Sequence, residues 1–181
     1  KDIDDNQKGE QRLTTTVLDE PLSRSLQKLA RASGFTLSAF IQTAWALLLS
    51  KYTGEQDVVF GYAISGRPAD LDGVERMVGL FINSLPMRVS LGTGDSLAAS
   101  IEKIQKQQMD ADEHNYVALA DIQKWAGLRA DTRLFESLVV LENYPLDPST
   151  LNSDTPGTLK ILDIQGVEQN DFALNLVVYP G

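Results

Sequence analysis

Residues 58–86, VVFGYAISGRPADLDGVERMVGLFINSLP, decide the fold. The stretch begins with a branched, apolar run without alternation, which is typical of a strand that is buried on both faces. Gly66 and Pro68 then predict a loop, since both residue types favour turns. A second apolar run follows, and the two runs flank Arg67 and Asn83. Either polar residue could support the fold or bind a substrate.

On both sides of this stretch, helical and strand-like patterns alternate, which predicts an α/β fold with a mixed sheet layered with helices. Strands are expected at residues 12–18, 57–63, 85–91, 134–141, 159–164 and 172–179. Pro86 restricts its strand to a sheet edge or a strand start, because proline has no N–H to donate. Turn residues predict a loop at 147–158, and the charged start predicts a flexible linker at 1–11.

Four helices are expected. The first follows Pro21 and stops at Gly34, and the second follows Thr36 as its N-cap. The second is apolar around most of its circumference, so it should form the centre of the core. The third runs from Ser96 to about Glu113 on the surface, with Leu97, Ile101 and Ile104 as a thin apolar stripe. The fourth covers residues 119–125.

Composition excludes several classes of function. The chain has 181 residues and a net charge of -9, with 16 basic against 25 acidic side chains. Such a surface repels phosphate, so nucleic acid and anionic membranes are poor partners. There is no cysteine, hence no disulfide, thiolate nucleophile or cysteine metal site. No apolar stretch approaches the ~20 residues of a membrane span, and no secretory signal is seen, so we expect a cytoplasmic location.

His114 is the only histidine, at the end of a polar helix among acidic residues. A Ser-His-Asp triad would need it as the base, but the pattern favours a surface histidine. Asp70, Asp72 and Glu75 fit a solvated turn better than a cation site. No metal site is predicted, since one histidine and scattered carboxylates do not form a ligand set. Phosphate-binding glycine loops and nucleophile elbows are also absent from the sequence.

For Arg67 and Asn83 the residues alone leave two readings open, and the structural one is favoured. A guanidinium between two apolar segments needs a carboxylate or several carbonyls as partners. An internal salt bridge to Asp70, Asp72 or Glu75 would satisfy it. Asn83 can cap a turn or strand end, because its amide both donates and accepts hydrogen bonds.

The segment SGRP followed by ERMVGLFINSLPMRV resembles the condensation domains of nonribosomal peptide synthetases. VGLFINSLPMR is similar to the fifth core motif of that family, with Ser84 at the position where threonine is usual. HNYVALADIQ resembles the sixth motif, with Ala118 where proline is common, and LFESLVVLENYP resembles the seventh-motif region. The segments TLSAFIQTAWALLLSKYTGEQDVVFG and NDFALNLVVYPG also fit, so the resemblance covers nearly all of residues 12–181 in the right order.

The resemblance implies a lobe of chloramphenicol-acetyltransferase type. Two such lobes form a V, and a tunnel between them admits the phosphopantetheine arms of carrier domains. There a peptide bond forms between donor and acceptor aminoacyl thioesters. The family's catalytic signature, two histidines, three variable residues and Asp-Gly, is absent from this sequence. Residues 12–181 are therefore expected to be the C-terminal lobe, without the N-terminal lobe or the final strand and helix, and inactive alone.

The resemblance also implies roles for particular residues. Arg67 is expected to pair with the signature aspartate of the N-terminal lobe, as structural support. Ser65, Gly66, Asn83 and Ser84 are expected to line the tunnel and to orient the acceptor or a thioester arm. No catalytic residue is assigned to this chain.

The resemblance implies partners as well: carrier domains, the N-terminal lobe and an adjacent adenylation domain. The carrier's phosphopantetheine arm, rather than a directly bound cofactor, would deliver substrate. Without its other lobe, the chain would expose apolar surface and self-associate. Two alternatives stay open: a non-catalytic carrier-docking or scaffold module, and an epimerisation or heterocyclisation relative.

Overall fold

The computed structural model describes residues 12–67, 71–92, 94–129, 131–142 and 171–180. Pairs of helices and pairs of strands follow one another along them, in the order α-α-β-β-α-α-β-β, which confirms the predicted α/β class. The helices are α1 Glu20–Ser33, α2 Leu37–Thr53, α3 Leu97–Asp112 and α4 Leu119–Trp125. The strands are β1 Asp57–Ile64, β2 Asn83–Ser90, β3 Ser137–Leu141 and β4 Leu174–Val178, and a single 3-10 turn spans Val74–Arg76.

Side chains fix where three of the helices begin. Asp19, Thr36 and Ser96 precede α1, α2 and α3, and each accepts a hydrogen bond from the backbone N–H three residues on, at 2.8, 3.1 and 3.2 Å. These bonds satisfy donors that a helix start otherwise leaves unpaired. Gly34 ends α1 in a left-handed conformation with φ of 73°, as the sequence predicted.

The described strands form one sheet in the order β2-β1-β3-β4. β1 pairs antiparallel with β2 and parallel with β3, and β3 pairs parallel with β4. The sheet is therefore mixed, and β2 lies at the edge of the described strands, which is one of the two positions that Pro86 allowed. The carboxyl ends of β1, β3 and β4 all lie at one end of the sheet, where β2 begins.

Two strand predictions need correction. Residues 12–18 form no strand, and Leu13 and Val17 are 90% and 87% exposed. Strand propensity alone is insufficient where no neighbouring strand pairs with the segment.

β3 begins at Ser137 rather than at Leu134, since the preceding Phe135 turns its ring against Gly61. The expectations for residues 1–11, 147–158 and 159–164 lie outside the described residues.

One sheet face and two helices form the core. β1 and β2 direct alternate side chains toward α2 and α3, and Trp45 Nε1 donates to Ser137 Oγ at 3.2 Å, which joins α2 to β3. The cluster contains Ala39, Trp45, Ala46, Val58, Phe60, Tyr62, Leu85, Met87, Val89, Ile101, Ile104 and Val139.

Two details of the predicted core are wrong. α2 lies in the core, but Leu47 and Leu48 are 38% and 44% exposed, because the sheet and α3 cover only part of its circumference. Leu97, predicted in the apolar stripe of α3, is 59% exposed, whereas Ile101 and Ile104 are buried as expected.

In the described part of the chain, no single helix has the length and apolarity to cross a membrane. α1 and α2 meet that criterion only as a pair, and a bend of 109° separates them.

Gly61 makes a test of this packing possible. A Cβ added to Gly61 would lie 2.2 Å from the ring of Phe135. We expect Gly61→Ala to lower the free energy of unfolding by about 1–3 kcal/mol, because overpacking displaces neighbouring side chains. Gly79→Ala is the control, since its Cβ meets nothing closer than 3.4 Å. Urea unfolding measures both variants, and an unchanged midpoint for Gly61→Ala would contradict the close approach of Phe135.

Candidate functional site

The residues that the sequence singled out meet at the carboxyl end of the sheet. β1 ends at Ile64 and β2 begins at Asn83, and residues 65–67 and 71–82 are the described parts of the connection between them. We call these parts the connecting loop. Ser65, Gly66 and Arg67 leave β1, while Asn83 and Ser84 begin β2, where Ala63 is paired with Ser84.

Arg67 binds its own loop. Its Nη1 donates to Val74 O and, at 3.3 Å, to Met77 O. The guanidinium carbon also lies 4.1 Å from the centroid of the Phe81 ring, an arrangement in which cation and ring attract each other. Among the carboxylates that the structure describes, none forms an ion pair with Arg67, and the side chains of Asp70 and Glu75 lie outside that set. Carbonyl partners, one of the two sequence-derived options, are the ones observed.

Gly66 allows the two ends of the connecting loop to touch. Its φ is 56°, and a Cβ at this position would lie 1.9 Å from Phe81 O. Only glycine tolerates both this conformation and so close an approach of backbone. Phe81 therefore meets Gly66 through its carbonyl and Arg67 through its ring. Ser65, by contrast, is exposed, and its hydroxyl has no hydrogen bond to the described residues.

Asn83 fixes a second segment at the same end of the sheet. Its Nδ2 donates to Asn115 O and to Val117 O, both at 2.8 Å, and its Oδ1 accepts the N–H of Ser84 at 2.8 Å. Asn115 and Val117 belong to residues 113–117, which we call the post-α3 turn. This geometry corresponds to the capping role that the sequence left open.

His114 lies in the post-α3 turn and is exposed, in agreement with its reading as a surface histidine. Its backbone N–H donates to Ala111 O at 3.0 Å, and its carbonyl accepts from Val117 at 3.1 Å. In the described residues, no group of three or more potential metal ligands converges. The site therefore offers hydrogen-bond donors and a cation, but its one imidazole lies in a solvated turn.

Tyr62 is a polar group of this region that the sequence analysis missed. Its side chain is 3% exposed, and its hydroxyl has no hydrogen-bond partner in the described residues. Desolvation, assisted by the charge of Asp112, raises the pKa of Tyr62 to about 12. The signal in the sequence was a single phenol in the otherwise apolar run VVFGYAI.

The connecting loop also exposes a run of apolar side chains. Leu80 is 91% exposed, and the other exposed apolar residues of the loop are Leu71, Met77, Val78 and Ile82. We call residues 77–82 of this loop the apolar segment. Exposed apolar residues so close in sequence are typical of an interaction surface.

A cavity of about 500 Å³ lies elsewhere, between β2 and α3. Two of its charged lining residues pair with each other: Arg88 Nη2 lies 2.6 Å from Asp57 Oδ2. The hydrogen bond from Arg88 is the main reason why the pKa of Asp57 is lowered. None of the predicted site residues lines this cavity.

Comparisons with known proteins agree with the resemblance seen in the sequence. A family model described as "Condensation domain" matches residues 2–181. The chain is 44% identical over 156 residues to a component of the linear gramicidin synthase of Brevibacillus parabrevis, covering 86% of this chain and 2% of that protein. It is 36% identical over 164 residues to surfactin synthase subunit 3 from Bacillus subtilis (strain 168), covering 91% of this chain and 13% of that protein.

Solved structures show the same relationship. "The crystal structure of holo T3CT" is 31% identical with a TM-score of 0.58, over 62% of this chain and 26% of that chain. The first condensation domain of the CDA synthetase is 22% identical with a TM-score of 0.58, over 67% of this chain and 28% of that chain. The second likeness is one of fold. The chain thus spans about a quarter of these structures and a much smaller share of the curated relatives.

Tyr62 gives the site a pH signature. The unfolded phenol ionises near pH 10 and the folded one at about 12, so between these values the folded state keeps a proton that the unfolded state loses. The free energy of unfolding should therefore fall as the pH rises from about 10 to about 12, by up to ~1.4 kcal/mol per pH unit. Tyr62→Phe should remove this component and leave stability at pH 7 unchanged or higher, because an unpaired buried hydroxyl is lost.

The control is Tyr52→Phe, since Tyr52 is 85% exposed. Urea unfolding of both variants and the wild type at pH 9 and pH 11 makes the comparison. Equal pH dependence in the two variants would mean that Tyr62 does not keep its proton in the folded state.

Proposed function

Because the chain belongs to the condensation-domain family, we propose that it is the C-terminal lobe of a domain that forms a peptide bond between carrier-bound aminoacyl thioesters. In that reaction the acceptor amine attacks the donor thioester carbonyl. A C–N bond forms, the C–S bond breaks, and the carrier thiol leaves. The phosphopantetheine arms of the carriers deliver both substrates, and this lobe supplies the acceptor-side wall of the tunnel.

The observation that carries the proposal is the orientation of Arg67. Nη1 donates to two loop carbonyls, and Phe81 covers one face of the guanidinium. Within the described residues, Nε and Nη2 have no hydrogen-bond partner. Those two nitrogens form the edge with which arginine binds a carboxylate in a bidentate pair. Arg67 can thus hold its own loop and still bind a carboxylate from another lobe.

We assign that carboxylate to the signature aspartate of the N-terminal lobe. Arg67 would then support the catalytic histidines through their neighbouring aspartate, without taking part in proton transfer. The apolar segment supports the same arrangement, because Val78, Leu80 and Ile82 are solvent-exposed in this chain and would be covered by the other lobe. In the chain alone this segment would favour self-association.

Proton handling is proposed to lie outside this chain. The sequence holds one histidine, His114, which is exposed in the post-α3 turn. Proximity catalysis needs both substrates and the catalytic groups to be held in one geometry, and we propose that one lobe supplies only part of that geometry. The same observation favours a second candidate, a non-catalytic module that docks carrier domains. The carriers, the N-terminal lobe and a neighbouring adenylation domain are the proposed partners.

Arg67 gives the first test, in an intact condensation domain that carries this chain as its C-terminal lobe. We expect Arg67→Ala to slow peptide-bond formation at least tenfold and to lower the free energy of unfolding by roughly 2 kcal/mol, since hydrogen bonds of a charged donor are lost. Arg67→Lys should restore little, because lysine does not bind a carboxylate in the bidentate mode.

Arg88→Ala is the matched control: Arg88 belongs to an exposed ion pair at the other end of β2, and its removal should change neither quantity appreciably. Combining Arg67→Ala with Asp→Asn at the signature aspartate separates the two duties of Arg67. Strong non-additivity supports the pair between lobes, while full additivity of the two rate losses rules it out.

The chain by itself supplies the second test. Mixed with donor- and acceptor-loaded carrier domains, it should form no dipeptidyl thioester above the uncatalysed rate, because its one histidine, His114, is exposed in the post-α3 turn and the proton-handling histidines are proposed to belong to the other lobe. Mass spectrometry of the acceptor carrier measures the product. A rate similar to that of the intact domain would refute the assignment of proton handling to another lobe. Retained binding of carriers without turnover in the intact domain would favour the docking module instead.

A further inference from the structure

We infer that Asn83 is a positioning residue that fixes the post-α3 turn beside the site, rather than a residue that binds substrate. The inference deepens the proposed function and rests on it for the meaning of the site. It assigns different roles to the two polar residues at the start of β2. Asn83 forms hydrogen bonds with the backbone, whereas the hydroxyl of Ser84 remains available to a ligand.

The hydrogen-bonding capacity of Asn83 is the first argument. Its amide nitrogen has two hydrogens, and both are donated to backbone carbonyls at 2.8 Å. Its Oδ1 accepts the N–H of Ser84, also at 2.8 Å. A side-chain amide has only these two donors, so Asn83 has no N–H left for a thioester or amide carbonyl. The Ser84 hydroxyl, in contrast, has no partner among the described residues.

The sequence of the turn is the second argument. Residues 113–118 read EHNYVA and contain neither glycine nor proline, the residues that most strongly impose a turn. α3 ends in a right-handed conformation at Glu113 rather than in a glycine cap. The carbonyls of Asn115 and Val117 would face solvent or remain unpaired without an external donor. Asn83, more than thirty residues earlier in the chain, supplies that donor.

The position of the post-α3 turn links the hydrogen bonds of Asn83 to the site. The turn joins α3 to α4, and Asn83 holds it at the same end of the sheet as the connecting loop. Residues of the sixth-motif segment are thereby tied to residues of the fifth-motif segment. Release of the turn would change the wall of the proposed tunnel without removing any group that touches substrate.

Two substitutions of Asn83 distinguish positioning from binding, and both are made in the intact domain. Asn83→Ala removes all three hydrogen bonds. Asn83→Asp keeps the acceptor for the N–H of Ser84 but places a carboxylate, which has no N–H to donate, against two carbonyl oxygens. It should therefore release the turn at least as strongly as Asn83→Ala does. We expect amide hydrogen exchange across residues 113–117 to accelerate about 10- to 100-fold in both variants without substrate, as expected for two lost hydrogen bonds.

Ser84→Ala is the matched control from the adjacent position. It should leave exchange in the turn within about twofold of the wild type, because the backbone N–H that Asn83 accepts is retained. The His114 imidazole resonance, assigned by its loss in His114→Gln, is a second reporter on the turn. It should shift in both Asn83 variants and stay in place in Ser84→Ala.

Kinetics complete the test. If Asn83 only positions the turn, both Asn83 variants should lower kcat/KM about tenfold, in parallel with the faster exchange. The factor should be similar for acceptors with different hydrogen-bonding groups. A loss of activity with unchanged exchange and an unmoved His114 resonance would show substrate binding and overturn the inference, as would near-normal exchange in Asn83→Asp. If the wild-type domain forms no peptide bond, the proposed function fails, while the exchange measurements still decide the role of Asn83.

Discussion

The contact of Phe81 with Gly66 and Arg67 is the constraint on which the site depends. β1 and β2 are antiparallel neighbours, yet the connection between them is long, and long connections are usually irregular and weakly determined. Here the Phe81 carbonyl lies where a Cβ of Gly66 would be, and its ring lies under the guanidinium. The loop is thus closed at both of its ends, and the direction of Arg67 follows from that closure.

Two side chains determine the backbone around the site, and they do so by the same chemistry. Arg67 donates to the carbonyls of Val74 and Met77, and Asn83 donates to those of Asn115 and Val117. In helices and strands, backbone carbonyls find partners within the ladder, but irregular segments need partners from elsewhere. Asn83 thus supplies donors to carbonyls of an irregular turn, while Arg67 adds a second donor to Val74 O, which also accepts the N–H of Met77 at 3.2 Å.

Local signals allowed much of the fold to be predicted. Thr36 and Gly34 lie at the ends of their helices as expected, because a cap depends on a few neighbouring residues. Pro86 limited its strand to a sheet edge or a strand start, because proline has no N–H to donate. Residues 12–18 failed for the opposite reason: a strand requires a partner that the segment itself does not specify. For the candidate site, the sequence indicated which polar residues to consider but not their contacts. The partners of Arg67 and Asn83 are backbone carbonyls, which every residue carries, so no residue type at any spacing indicates them. Tyr62 was missed because its burial depends on how α2 and α3 pack over the sheet.

The exposed state of Arg67 is compatible with the role between two lobes that we propose. A charge pair in solvent contributes little, because water screens it, whereas the same pair is strengthened when a second surface excludes water. With Nη1 occupied and one face covered by Phe81, the guanidinium presents a single edge in a fixed direction. A carboxylate brought by another lobe would then find its partner already oriented, so that less side-chain freedom is lost on pairing. Burial of the apolar segment by the same lobe would remove water from around the pair. Closure of the lobes and strengthening of the ion pair would accordingly reinforce each other, and this lobe would contribute to catalysis by holding the other in place.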